Sequence, residues 1–236
     1  MPTKEELLQE KKRYGLPLTI SFEEEKKLDL GMPIQQIMGF VEFLNTRINL
    51  NHKVLIPRYE TEELVDYVLK NFIKNDANFD ILDLCCGSGF IGLSIKKNAP
   101  KVNVSLSDID PEAISQTREN ALINFNSLKD IEIYQSDLFS NILGKFDLII
   151  SNPPYLDENI ILDNHSSLLF EPQHALYAGD GGLYFYKKIL AEYKKFLKPG
   201  GKLIFEINPL HIEFWRQIPG ASILKDINKK DRFVIV

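Results

Sequence analysis

The chain is most tightly constrained at Phe146-Asp147-Leu148-Ile149-Ile150-Ser151, an apolar run that stops abruptly at Asn152-Pro153-Pro154-Tyr155. The run is short, β-branched and polar only at Asp147 and Ser151, the pattern of a strand covered on both faces. A sheet of such strands is an open α/β sheet, and ligands bind there beyond the carboxyl ends of the strands. Pro153 pushes Asn152 into extended backbone. The Asn152 amide and the Pro153 carbonyl are then two acceptors held side by side, a shape that suits a planar NH2 group with two donors. Tyr155 adds an apolar face with a polar tip against which a flat group packs. The plain alternative is a proline-rich loop that only ends a strand.

From Thr61 onward the pattern alternates between strand and helix, which predicts a parallel sheet. Thr61 is placed to cap a helix that runs to about Asn75. Residues 79–84, 102–107, 131–135 and 146–151 read as strands, and 90–97 as a helix. Asp110-Pro111-Glu112 opens another helix, with a capping acid, a proline where no donor is needed and an acid in the first turn. Residues 156–182 carry little periodicity and form a long loop placed to cover Asn152. A helix over 183–197, a turn at Pro199-Gly200-Gly201, a buried strand over 202–207 and β segments at 221–224 and 232–236 complete the chain. Upstream, Thr3 with Glu6 and Ser21 with Glu24 make two capping boxes, and 41–57 reads as a β-hairpin.

Composition narrows the partners. With 236 residues, 44% apolar and 26% charged, the chain supports one sizeable domain and a small appendage. No apolar stretch approaches the roughly 20 residues of a membrane span, and the acidic start is unlike a secretory signal, so a cytoplasmic protein is expected. A net charge of -5 argues against a partner that is mainly a phosphate backbone. Cys85 and Cys86 are neighbours, which rules out a spaced metal site, and His52, His165, His174 and His211 are scattered, so no metal is expected.

Asp83-Leu84-Cys85-Cys86-Gly87-Ser88-Gly89 turns from strand into helix with small side chains that let a ligand approach the backbone. The dinucleotide fingerprint is incomplete, because Cys85 stands where its first glycine belongs, although Gly87, Gly89 and Gly92 partly restore it. About 20 residues further on, Asp108 ends the second strand, the place of an acid that accepts from ribose hydroxyls. Asp110 is the better helix cap, which leaves Asp108 for a ligand. Asp137-Leu138 would border an adenine, Asp83 could anchor an amino group, and Glu171-Pro172 could reach the substrate; plain structural roles for these acids stay open.

Together these segments resemble a class I S-adenosylmethionine-dependent methyltransferase, and their flanks resemble the HemK/PrmC family of release factor glutamine methyltransferases. The flanks are Pro33 to Gly39, Leu55 to Glu62 with Arg58, Phe170-Glu171-Pro172, Ala175-Leu176 and Asp231-Arg232. The resemblance implies a Rossmann-like α/β fold with a mostly parallel seven-stranded sheet, a β-hairpin and a short helical piece at the amino end. It implies residues 1–32 as a truncated docking segment, 33–58 as a hairpin linker and 59–236 as the methyltransferase domain. S-adenosylmethionine would meet Cys85, Cys86, Gly87, Ser88, Gly89, Asp108, Leu138 and Asn152. The substrate, a glutamine amide of a peptide chain release factor, would meet Asn152, Pro153, Pro154 and Tyr155, with Asn152, Pro153 and Tyr155 as the catalytic set. The expected protein is a monomer with no stable nucleic acid partner and no membrane association. Cys85 in place of a glycine, Tyr59 in place of a proline and the short amino end depart from the family pattern. The rival readings are an adenine-N6 methyltransferase acting on DNA or RNA and a non-catalytic adenosine-binding module.

Overall fold

Hydroxyl and carboxylate pairs three residues apart start the first two helices, as their spacing demands. The computed structural model describes residues 1–73, 79–160 and 167–236. Thr3 and Glu6 close a capping box on α1 (Lys4–Arg13), and Ser21 and Glu24 close one on α2 (Phe22–Asp29). A third helix, α3 (Ile34–Met38), escapes the sequence reading because it is short and has no side-chain cap. Leu7, Leu28 and Ile37 bury one another in a small apolar cluster of their own. The hairpin follows as β1 (Phe40–Phe43) and β2 (Thr46–Asn49), antiparallel, with Leu44 and Asn45 both in the left-handed backbone that a two-residue turn requires.

Helix α4 (Tyr59–Asn71) corrects one expectation. Its N-cap is Arg58, with no side-chain hydrogen bond, and Thr61 lies inside the first turn. The Thr61 hydroxyl is drawn into the core instead, where it donates to Glu206 Oε2 at 2.7 Å. The expected end of this helix, near Asn75, lies outside the described residues.

The alternation then delivers β3 (Asp80–Leu84), α5 (Phe90–Asn98), β4 (Asn103–Asp108), α6 (Pro111–Phe125), β5 (Ile131–Gln135) and β6 (Phe146–Ser151). Two short strands, β7 (Leu156–Asp157) and β8 (Tyr177–Ala178), pair in parallel and fold the long loop back on itself. After α7 (Tyr184–Glu192) come β9 (Leu197–Glu206), α8 (Ile212–Arg216), β10 (Ser222–Lys225) and β11 (Asp231–Ile235). The helix expected over 183–197 is shorter, since Leu197 already pairs with Phe146 in the sheet, and α8 was not foreseen.

Seven strands form the central sheet in the order β10-β11-β9-β6-β3-β4-β5, parallel except at β11 and β10. One apolar cluster fills the face toward α4 and α5, and a second, built around Tyr186, Phe205 and Trp215, fills the other. Among the described residues no helix is long and apolar enough to cross a membrane.

Gly92 shows how tightly α5 lies on the sheet, because a Cβ there would stand 2.7 Å from Leu106 Cδ2 and 3.0 Å from Val104 Cγ1. We therefore expect Gly92→Ala to destabilise despite the better helix propensity of alanine, by about 1–3 kcal/mol of overpacking. Thermal unfolding checks this, with Tm falling by roughly 2–4 °C for each kcal/mol; an unchanged Tm would contradict the tight packing.

Candidate active site

The strand order reverses between β3 and β6, and the two pair directly, Leu84 beside Ser151. The Ser151 hydroxyl donates to Leu84 O at 2.7 Å, so the loops after both strands leave the sheet from one point. That is the crevice in which open α/β sheets bind ligands.

After Leu84 the chain turns through left-handed backbone at Cys85 (φ 62°), Gly87 (φ 54°) and Gly89 (φ 80°). Cys85 thus holds a conformation natural to glycine, at a cost of roughly 1–2 kcal/mol. Helix α6 grips this turn with a buried polar face that the sequence reading passed over: Thr117 Oγ1 donates to Gly87 O at 3.0 Å and Asn120 Nδ2 to Ser88 O at 2.9 Å. The same face holds the hairpin linker, through Asn49 N to Asn120 Oδ1 and His52 N to Gln116 Oε1, both 2.8 Å. The signal was present, since Gln116, Thr117 and Asn120 share one face of a helix at i, i+1 and i+4.

A cavity of about 320 Å3 opens on this turn, lined by Cys85, Cys86, Gly87, Ser88, Asp108, Leu138, Asn152 and Pro154 among others. The structure thereby brings together the expected cofactor residues except Gly89, which sits under Thr117 and starts α5. Asp108 is less free than its spacing suggested: Oδ2 accepts from Gly87 N at 2.9 Å and Oδ1 from Asp110 N at 3.0 Å. The Ile109 N–H also acts on this carboxylate, so at most one of its roughly four lone pairs remains for a hydroxyl. Asp110 caps α6 through Glu112 N, as expected. Asp137 is exposed at the cavity rim, and Leu138 (φ 47°) turns its side chain to the wall. Open space lies where a Gly87 Cβ would project, so a flat ligand can approach the backbone there.

A second cavity of about 210 Å3 adjoins the first, lined by Arg58, Pro153, Tyr155, Leu156, Leu168 and Leu176, and shares Leu55, Asn152 and Ala175 with it. Asn152 therefore stands in the common wall. Its Nδ2 donates to Thr61 Oγ1 at 3.4 Å, while its Oδ1 is buried with no hydrogen-bond partner among the described residues. The Tyr155 ring packs on the second core cluster and its hydroxyl donates to Glu206 Oε1 at 3.4 Å. The polar tip is thus directed into the protein, while the residue lines the second cavity.

The loop after Asn152 does cover the site, with Pro172, His174 and Ala175 on the larger cavity. Glu171 has a structural task there: its buried carboxylate accepts from Ile56 N at 2.8 Å and pairs with Arg58, tying the loop to the linker. His174 Nε2 lies 2.8 Å from Asp110 Oδ2 across the cavity mouth. His52 contacts Glu112, His211 contacts Gly181 O, and His165 lies outside the described residues. Gln36 of the Pro33 to Gly39 segment holds the loop from below, donating to Phe170 O at 3.1 Å.

The family model described as the methyltransferase small domain matches residues 64–198, more than half of the chain. A release factor glutamine methyltransferase of Streptococcus pneumoniae is 34% identical over 94% of this chain and 84% of its own length. One of Borreliella burgdorferi is 38% identical over 91% of this chain and 76% of its own length. The chain belongs to the release factor glutamine methyltransferase family. Among solved structures, a ribosomal protein L11 methylase from Lactobacillus delbrueckii superposes with a TM-score of 0.53 at 21% identity, over 77% of this chain and 79% of that one. A methyltransferase from Pyrococcus furiosus superposes with a TM-score of 0.56 at 20% identity, over 80% of this chain and 86% of that one. These two likenesses show the fold.

In this methyltransferase Asp83 does not reach the cavity. It is fully buried, accepts from Gly92 N at 2.8 Å through Oδ2, and leaves Oδ1 without a partner. Burial, with Asp108 adding repulsion and the Gly92 N–H opposing, drives its carboxyl from 3.8 up to about 7. A carboxyl raised in the folded state stabilises the fold fully below 3.8, and that contribution is lost as pH rises through about 7. We expect Asp83→Asn, which keeps an acceptor for Gly92, to gain stability on the wild type as pH rises from about 5 to 8. Melting curves across that range test it, and parallel profiles would refute the assignment. Asp108→Ala is expected to weaken adenosine-cofactor binding by about 1.5–3 kcal/mol, and unchanged affinity in calorimetry would remove Asp108 from the site.

Proposed function

We propose that this chain methylates the side-chain amide nitrogen of the glutamine in the Gly-Gly-Gln motif of a peptide chain release factor, with S-adenosylmethionine as cofactor. One observation carries the reading: Asn152 lines both cavities, and its Oδ1 is a buried acceptor without a partner among the described residues. Such an atom costs about 1–3 kcal/mol unless a donor arrives, and a carboxamide NH2 brings two donors. A carboxylate there would set acceptor against acceptor. Glutamine is thereby separated from glutamate.

The larger cavity fits the cofactor, with the Cys85 to Ser88 turn open to a flat ligand, Asp108 at the end of β4 and Leu138 opposite. When bound, S-adenosylmethionine supplies a methyl group already activated by its sulfonium. What the chain must add is alignment, because an amide nitrogen is a poor nucleophile with a delocalised lone pair. The buried Pro153 and the half-buried Asn152 hold their acceptors on a stiff corner beyond β6. As the N–H bonds of the attacking nitrogen become more acidic, Asn152 Oδ1 and the Pro153 carbonyl bind them more strongly than in the ground state. Pro172 and Ala175 exclude water from above. The S–CH3 bond would break as N–CH3 forms, S-adenosylhomocysteine would leave with the electron pair, and the nitrogen would shed one proton to solvent, with no side chain assigned the part of a general base.

In the same reading residues 1–32 act as a short docking segment, 33–58 as a linker and 59–236 as the catalytic domain. The apolar cluster of α1 and α2 also takes in Ile34, Ile37 and Met38 of α3, so the docking segment packs onto the start of the linker. The protein would work as a cytoplasmic monomer without a stable nucleic acid partner, in keeping with a net charge of -5. Methylation of adenine N6 is not favoured, given relatives named for glutamine.

Incubation of wild-type protein, S-adenosylmethionine and release factor, followed by mass spectrometry, is expected to place one methyl group on that glutamine; a methyl on nucleic acid alone would overturn the proposal. Asn152→Ala is expected to lower turnover about 10²-fold or more, as for loss of one preorganised polar contact, with cofactor affinity nearly unchanged.

A further inference from the structure

Behind Asn152 lies a buried polar chain that the reaction does not consume. Glu206, at the end of β9, is 1% exposed, and both its oxygens face the Asn152 corner. Oε2 accepts from the Thr61 hydroxyl at 2.7 Å and Oε1 from the Tyr155 hydroxyl at 3.4 Å. Thr61 Oγ1 in turn accepts from Asn152 Nδ2 at 3.4 Å. A hydroxyl has one proton to give. Once Thr61 gives it to the carboxylate, only lone pairs face Asn152, so the amide must turn Nδ2 toward Thr61 and Oδ1 away. That direction is where Oδ1 is buried without a partner.

We propose that Glu206 and Thr61 are positioning residues that fix the flip of the Asn152 amide, so that its oxygen, never its NH2, meets the substrate nitrogen. The proposal deepens the reading given above and rests on it for the identity of the substrate. A side-chain amide left to itself has two nearly isosteric orientations. The wrong one would oppose donor to donor. Glu206 therefore selects the productive form through Thr61 without touching substrate, and it holds Tyr155, at the far end of the same corner, with its other oxygen.

The groups facing Glu206 are Glu60 and Thr61 from α4, Arg232 from β11, Tyr155 from the corner and Tyr186 from α7, whose hydroxyl donates to Glu206 O at 2.9 Å. Burial outweighs the Thr61 hydrogen bond and the Arg232 charge and raises the Glu206 carboxyl to about 7. Protonated, Glu206 can offer its proton to Thr61 and reverse the chain, so the productive flip is lost on the acid side.

The test combines three variants with two readouts. Thr61→Val is expected to lower kcat by about 10-fold or more, as for one misdirected polar contact, with KM and cofactor affinity within a factor of about two; Thr61→Ser recovers most of the loss. Glu206→Gln is expected to lower kcat and to remove the acid limb of the wild-type pH profile near about 7. The second readout is NMR of the Asn152 side-chain NH2 in the protein without substrate. Slow hydrogen exchange in the wild type and Thr61→Ser, and fast exchange in Thr61→Val, supports the proposal. Equal exchange in all three overturns it, as does a Thr61→Val enzyme with normal kcat. Because the NMR arm uses no methyl acceptor, failure of wild-type protein to methylate release factor would defeat the functional reading while the exchange rates still decided the relay.

Discussion

The pairing of β3 with β6 is the constraint on which the site depends. These strands are neighbours in the sheet although two helices and two strands separate them in sequence, and their carboxyl ends are level, Leu84 against Ser151. A slip of one residue would turn every side chain of β6 to the opposite face. The Asp83 to Gly89 turn and the Asn152 to Tyr155 corner can share a cavity only because that register is held. It is held by burial on both faces: Leu82, Leu84 and Ile149 belong to one apolar cluster and Ile81, Leu148 and Ile150 to the other. The alternation of faces along a strand thus aligns two loops that have no contact in the sequence.

What could be read from the chain follows from this division. Strand and helix positions were legible because each is set by its own residues: capping boxes at Thr3 and Ser21, the Asp110-Pro111 start, the short apolar runs. That Cys85 to Ser88, Asp108, Leu138 and Asn152 would share a cavity was legible because they follow strand ends, where spacing along the chain maps onto spacing across the sheet. Side-chain partners were not legible, because they depend on contacts over long separations. Thr61 looks like a cap until Glu206, 145 residues away, takes its hydroxyl. Glu171 shows no structural task in the sequence, and only the fold reveals that it pairs with Arg58 across a loop and a linker. Tyr155 lines the second cavity as its position suggests, but its hydroxyl is drawn inward to Glu206.

Two buried carboxyls, Asp83 and Glu206, flank the site, and among the described residues neither has an ion pair within salt-bridge distance. Asp83 keeps one oxygen unpartnered, and Glu206 has hydroxyl donors in place of a direct cation. Burying an acid in this way opposes stability. Each is retained at a point where the backbone or an amide must be directed: Asp83 Oδ2 anchors Gly92 N at the start of α5, and Glu206 orders the residues behind Asn152. A cation beside either would secure the charge but would also pull the carboxylate from the donor it directs. Partial satisfaction therefore keeps both geometries in place, at the expense of stability at neutral pH.

The same reasoning explains the cysteines. Burial, and the carboxylates of Asp108 and Asp83, push both thiols up, Cys86 well above its ordinary value. This environment favours the neutral thiol over the thiolate. Cys86 packs into the first apolar cluster and Cys85 against the second. Cys85 adopts positive φ where glycine would be unstrained, and its side chain gains apolar contact in return. Since that side chain lines the larger cavity, the substitution narrows the space left for a ligand beside the turn.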